Sequence, residues 1–196
     1  SFDVFGAVYR SAGQALRYGA FQVVSIVTTT GFATADYEKW PAMSQLILLF
    51  CMFLGASAGS TGGGMKCLRV MLCFKFCYKE LFSLIHPRAV THVKIAGKVV
   101  SDDIMRSVLG FMSLYMGLFA LSAVILASLG VDFMTAVGAV AATIGNIGPG
   151  FGMVGPVDNY ALIPEMGKWL LIWCMLLGRL EVFTVIILLV PEFWRK

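Results

Sequence analysis

Apolar positions in this chain gather into long uncharged runs rather than short amphipathic ones. A helix needs about 20 apolar residues to span hydrocarbon. Residues 107–131 carry no charge and are bounded by Arg106 and Asp132, so they predict a spanning helix. Residues 169–190 predict a second, interrupted only by Arg179 and Glu181. A third uncharged stretch, 40–65, divides in two. Its part 42–54 reads as a half-span. The segment 55–64 (GASAGSTGGG) cannot hold a helix, because each glycine costs nearly ~1 kcal/mol relative to alanine. A helix resumes over 65–82 and carries Lys66, Arg69, Lys75 and Lys79.

Two more uncharged segments, 18–35 and 133–157, are too short or too broken to span. Each reads as a half-length helix running into an irregular strand with glycine. Irregular backbone at membrane depth survives only where protein buries it or water lines it. Both segments therefore predict re-entrant hairpins that line something.

Composition agrees. Of the 196 residues, 59% are hydrophobic and 13% charged, with a mean hydropathy of +0.84. A soluble domain has about 25% charged residues. Disordered chains, nucleic-acid-binding arms and most soluble enzymes are excluded, and a membrane protein remains. The chain opens at Ser1 with no Met and no basic n-region ahead of an apolar stretch, so no signal peptide is expected in it, and it reads as cut from something longer. The five cysteines form no CxxC. Cys73 and Cys77 lie one turn apart with His86 and His92 nearby, but four-ligand metal sites need a second pair. The plainer reading is reduced thiols in an apolar helix facing the cytosol.

The net charge is only +4, so its distribution carries the information. Residues 66–106 hold Lys66, Arg69, Lys75, Lys79, Arg88, Lys94, Lys98 and Arg106 against Glu80, Asp102 and Asp103. The loops after the two irregular strands are acidic or balanced, with Asp36, Glu38 and Lys39 in one and Asp158, Glu165 and Lys168 in the other. The positive-inside rule places 66–106 and the C-terminus in the cytosol and both strands toward the outer face. Residues 89–100 alternate around AGK at 96–98, which predicts a short cytosolic hairpin.

The chain also repeats itself. With Gly31 over Gly148, residues 20–27 (AFQVVSIV) lie over 137–144 (VGAVAATI), and 29–32 (TTGF) over 146–149 (NIGP). An outer loop follows in both, then Trp40-Pro41 or Lys168-Trp169, then an apolar helix. The fold class expected is an all-α polytopic membrane protein built of repeated helix–pore loop–helix units. Residues 1–88 form one repeat without its opening helix, 89–102 a cytosolic connection, and 103–196 a complete repeat. Two copies cannot close a ring around an axis, so more are expected.

A dehydrated K⁺ needs a cage of oxygens, and rings of backbone carbonyls supply it. Turning carbonyls toward an axis requires a residue tolerant of φ > 0, the role expected of Gly31 and Gly148. The threonine run and Asn146 would add side-chain oxygens. Pore helices over 14–27 and 132–144 would aim their negative dipole ends at the ion. The competing reading is two tight turns, which the repetition disfavours.

Residues 28–36 (TTTGFATAD), 59–66 (GSTGGGMK), 146–150 (NIGPG) and 175–181 (MLLGRLE) resemble the TrkH-type potassium transporters of the Trk/Ktr/HKT superfamily. The resemblance covers the whole chain. It implies four such repeats on one polypeptide, of which this sequence is similar to the third, lacking its first helix, and the fourth. It further implies a K⁺ filter at Thr29, Thr30 and Gly31 and at Asn146, Ile147 and Gly148. One glycine per repeat goes with potassium in that family, and serine there goes with sodium. Composition leaves 55–64 open as a static kink or a movable loop. The resemblance implies a gate formed by Gly55, Gly59, Gly62, Gly63 and Gly64, with Arg179 as a pore-facing barrier to cations. A charge inside a spanning helix costs at least ~2.5 kcal/mol, and Glu181 at i+2 points away from it. A phosphate-binding loop over 59–64 is disfavoured, because Met65 stands where lysine belongs and no strand precedes. Lys66 and Arg69 read as snorkelling to the inner interface.

These features imply passive uptake of K⁺ across a bacterial inner membrane, with no covalent chemistry and no organic cofactor. The partners expected are the lipid bilayer and the N-terminal repeats of the same protein, and the resemblance implies in addition a second copy in a homodimer and a cytosolic TrkA-type nucleotide-binding subunit. No nucleic acid is among them. The rival reading is a secondary transporter of a small solute with discontinuous helices. Both repeats start on the cytosolic side, which favours a pore along the membrane normal. A purely structural membrane subunit is a third reading.

Overall fold

A computed structural model of the chain describes residues 8, 9, 11–55, 57, 59, 60, 62–86, 92–95, 97–180, 185, 187 and 191–194. Helix α1 (Ala12–Val27) runs into an irregular strand and a 3₁₀ turn at Tyr37–Lys39. Helix α2 (Ala42–Phe53) ends where two short strands, β1 (Leu54–Gly55) and β2 (Met65–Lys66), pair in parallel. Helix α3 (Cys67–Ile85) follows, then an antiparallel hairpin of β3 (Lys94–Ile95) and β4 (Lys98–Val99). Helix α4 (Asp102–Ser128), α5 (Phe133–Ile144) and α6 (Glu165–Arg179) complete the main bundle, with a last helical turn at Pro191–Trp194.

Each element has a local cause. Asp102 and Asp103 open α4 where the helix dipole favours negative charge. Its 27 residues reach about 40 Å, more than the ~30 Å of hydrocarbon. Among the described residues it is the one helix long and apolar enough to cross a membrane. The Asp132 side chain caps α5 by accepting from the Thr135 N–H at 3.2 Å. Apolar on every side, α5 is buried along almost its full length, with Thr135, Ala136 and residues 138–144 all covered. Gly138 admits the backbone of Phe151, whose N would lie 2.5 Å from an added Cβ.

The core joins the two halves of the chain. Ile26, Tyr37, Trp40, Leu48 and Met52 pack with Ala141, Ile147 and Phe151. A second cluster binds α4, α5 and α6 through Leu126, Ala139, Val140 and Leu171.

Five of the expected helices are present: α1, α2, α3 and α5 lie within three residues of their predicted bounds, and α4 starts five residues earlier than expected, at Asp102. The hairpin around 96–98 is present over its described residues, with Gly97 at φ +80°. Of the expected helix over 169–190, α6 covers the first part, starting earlier, at Glu165, and ending at Arg179; most of 181–190 lies outside the described residues. Pro164 sets the start as its N-cap, and Leu180 is already outside the helix. Arg179 thus stands in a C-terminal turn, where the dipole favours a cation, rather than mid-helix. Arg69, expected to snorkel, lies over the Phe111 ring of α4 at 4.1 Å.

Candidate ion filter and gating loop

The strands after α1 and α5 share one backbone trace. Thr29 and Gly31 have φ of 56° and 77°, and Asn146 and Gly148 have 54° and 113°. Thr29 and Asn146 are the two non-glycine residues with positive φ among those described. The hydrogen bonds leading in also superpose. Thr28 N–H donates to Val24 O at 2.9 Å, as Gly145 does to Ala141 O at 3.0 Å. Thr29 donates to Ile26 O and Asn146 to Thr143 O, both at 3.0 Å. Thr30 donates to Ser25 O at 2.9 Å and Ile147 to Ala142 O at 2.8 Å. In an ordinary strand successive residues face opposite sides. Left-handed residues at every second position break that alternation, so neighbouring carbonyls can turn to one side.

The two strands touch. A Cβ on Gly31 would lie 2.0 Å from the Ile147 carbonyl oxygen, so glycine is required there by space as well as by φ. At Gly148 the φ alone demands glycine, because nothing lies within 4 Å of an added Cβ. Side chains of both strands are tied to neighbouring backbone or to each other. Asn146 donates its amide N–H to the Met175 carbonyl at 3.0 Å, which ties the strand to α6. Thr28 Oγ1 donates back to Val24 O at 2.7 Å and lies 2.8 Å from Thr30 Oγ1.

The outer loops brace these strands in a way the sequence reading missed. Pro41 and Pro164 both cap the following helix, with nearly equal angles of φ −54° and ψ 148° or 149°. Counting back, Asp36 and Asn159 each accept from the N–H two residues on. Tyr37 and Tyr160 then open matching 3₁₀ turns. The Tyr37 hydroxyl donates to the Gly150 carbonyl at 2.8 Å in a buried site, and the Tyr160 hydroxyl to the Gly148 carbonyl at 2.6 Å. Burial raises both phenols, Tyr160 to about 12. Both therefore remain protonated donors at neutral pH. The Glu38 carboxylate accepts from the Gly152 N–H, a second tie between the halves. Burial raises the Glu38 carboxyl, the Gly152 N–H pulls it down, and Asp36 and Asp158 push it further up. The available signal was proline: aligning Pro41 with Pro164, rather than Trp40-Pro41 with Lys168-Trp169, superposes both tyrosines.

Below the second strand lies the glycine-rich loop. Leu54 pairs with Met65 and Gly55 with Lys66, so the chain leaves and re-enters at one level. A Cβ on Gly55 would meet Gly63 O at 2.4 Å. Gly63 in turn abuts the foot of the strand, where a Cβ would sit 2.3 Å from Gly145 O and 3.0 Å from Asn146 Cβ. Gly59 and Gly64 have φ of +86° and +75°, and Gly62 N–H donates to Ser60 Oγ at 3.0 Å. On α6, a Cβ on Gly178 would lie 2.0 Å from Ile144 O. Arg179 is the next residue and is exposed. The loop and the end of α6 therefore meet the same backbone, residues 144–146.

The chain is a helical membrane protein in which two helix–strand hairpins share backbone angles and hydrogen bonds. The family model described as TrkH, cation transport protein, matches residues 7–196, and the chain belongs to that family. The TrkH potassium uptake protein of Halomonas elongata is 46% identical over 183 residues, 93% of this chain and 38% of that protein. Its counterpart in Salmonella typhimurium is 43% identical over 192 residues, 98% of this chain and 39% of the relative. The crystal structure of the potassium transporter TrkH from Vibrio parahaemolyticus superposes with a TM-score of 0.87 at 43% identity, covering 95% of this chain and 39% of that one. The chain thus spans about two fifths of the length of these proteins.

Proposed function

We propose that this chain supplies two pore-lining repeats, residues 1–88 and 103–196 joined by 89–102, to a potassium uptake path in a bacterial cytoplasmic membrane. Residues 66–106 and the C-terminus face the cytosol. Carbonyls of Thr29, Thr30, Gly31, Asn146, Ile147 and Gly148 replace the water around K⁺, the transported ion. The carbonyl ends of α1 and α5 favour a cation over an anion. The electrochemical gradient drives the ion, and no bond is made or broken.

The observation that carries this reading is the matched left-handed backbone at 29 and 31 and at 146 and 148, entered through the same hydrogen bonds. The names of the Halomonas and Salmonella relatives, both potassium uptake proteins, point the same way. Gating falls to the loop containing Gly55, Gly59, Gly62, Gly63 and Gly64, with Arg179 as an electrostatic barrier. The contact of Gly63 with Gly145 supports a loop that obstructs the path from below. The other repeats of the polypeptide, a second copy, and a cytosolic nucleotide-binding subunit of the TrkA type complete the assembly.

The test is ion flux through the full-length protein carrying Gly148→Ser. The expected result is a several-fold fall in K⁺ preference over Na⁺. An unchanged ratio in folded protein contradicts the filter assignment. Arg179→Ala is expected to raise K⁺ flux, and an unaltered rate argues against a barrier.

A further inference from the structure

Helix α3 starts at the glycine-rich break, at mid-membrane in the topology above, and rises about 1.5 Å per residue. Crossing half of the ~30 Å hydrocarbon core takes about ten residues. That brings the helix to headgroup level near Lys75 and Lys79. A second depth marker agrees. Lys79 Nζ lies 3.9 Å from Asp102 Oδ1, and Asp102 opens the spanning helix α4. Both residues stand where that helix leaves the hydrocarbon.

A groove of about 510 Å³ opens at this level, between α3 and the β3–β4 hairpin. Lys75, Lys79 and Lys94 line it together with Phe74, Tyr78 and Phe82, and His92 closes one end. The walls are fixed to each other. Lys75 Nζ donates to the Lys94 carbonyl at 2.8 Å. Val93, beside it on the hairpin, is buried against Leu72, Met105 and Val108. Phe74 and Tyr78 stay 74% and 71% exposed. Exposed rings at interface height sit well among lipid headgroups. Three lysines gathered on one groove carry like charge and repel one another, and Asp102 offsets Lys79 at the limit of an ion pair. An anion between them relieves that repulsion.

We propose that this groove binds the headgroup of an anionic phospholipid of the adjacent leaflet, its phosphate on the lysines and its acyl chains along the aromatic rings. The charge complementarity and the depth carry the assignment. Each lysine is expected to contribute about fivefold in affinity.

The test titrates the full-length protein in detergent with phosphatidylglycerol and, separately, phosphatidylcholine, counting bound lipid by native mass spectrometry. Phosphatidylglycerol is expected to bind more tightly. The Lys79→Gln/Lys94→Gln variant keeps the Lys75 hydrogen bond and is expected to lose roughly 25-fold in that affinity. Lys98→Gln, on β4 outside the groove, removes the same charge and is expected to change it little. If the double variant is not monodisperse, Lys94→Gln alone should still lose about fivefold. Equal phosphatidylglycerol binding by the parent and the groove variants overturns the proposal. So does displacement of the lipid by millimolar inorganic phosphate, which would mark a free-anion site. Protection of a Tyr78→Cys thiol from maleimide without anionic lipid would mean that a protein surface covers the groove, and would overturn it too. None of these readouts involves flux, so their failure is distinct from failure of the ion-path reading.

Discussion

Helices α1 and α5 are the two half-length helices that run into glycine strands, yet they sit in different surroundings. Nine residues of α5 are buried, and α4 and α6 flank it. Five residues of α1 are buried, with α2 as its main helical neighbour, and Leu16 and Val24 are 61% and 60% exposed. The glycines at the ends of these elements reverse the order. Gly31 is pressed against Ile147, while the Cβ side of Gly148 is open. The backbone conformation is thus a property of the repeat itself. Crowding comes from the neighbour: the second strand stands beside Gly31, and no atom of this chain stands beside Gly148.

The two glycines give the largest test of that distinction. Gly31→Ala combines left-handed strain, about 1–3 kcal/mol, with a clash against a backbone oxygen that cannot move cheaply. A loss of about 4 kcal/mol or failure to fold is expected in thermal unfolding of the full-length protein. Gly148→Ala meets no atom of this chain, so it carries at least the left-handed strain, about 1–3 kcal/mol. Equal losses would break the comparison.

The next effect lies in the loop. Gly63→Ala forces the loop away from Gly145 O and is expected to raise basal K⁺ flux. Gly59→Ala, which meets nothing within 4 Å, should leave flux closer to the parent despite its φ of +86°. A rise from Gly59→Ala alone would place the obstruction at the loop tip instead.

The tyrosines come third. Tyr37→Phe strips a buried carbonyl of its donor and should cost about 1–3 kcal/mol. Tyr160→Phe acts at an exposed carbonyl that water can reach, so less than about 1 kcal/mol is expected. Denaturant titration separates the two. The smallest effect is that of Glu38. Its carboxyl titrates above the ordinary value of 4.5, chiefly through burial, so ionisation opposes folding. Its contribution is full below 4.5 and is lost as pH rises through the raised value. Glu38→Gln keeps an oxygen for Gly152 N–H without the charge. Its stability relative to the parent should therefore climb with pH across that window, and a flat difference would contradict the assignment.

Much of this arrangement was legible in the chain. Uncharged runs located α2, α4 and both half-length helices, because membrane burial leaves no room for charge. Gly31 and Gly148 were legible because positive φ selects glycine so strongly. The brace was not. Six extra residues separate Gly148 from Pro164, compared with Gly31 from Pro41, and an alignment led by tryptophan slides past the tyrosines. The end of α6 at Arg179 was hidden because the apolar run continues to 190. The N–H₂ of Asn146 finds the Met175 carbonyl, a contact 29 residues distant that no local pattern announces.

The claim that the two strands share one ion is tested most directly by anomalous scattering from Tl⁺, a K⁺ mimic, in crystals of the full-length protein. The account predicts peaks beside the carbonyls of residues 29–31 and 146–148, on the side common to both strands. Well-ordered Tl⁺ elsewhere in the molecule, with none along these six residues, would contradict it.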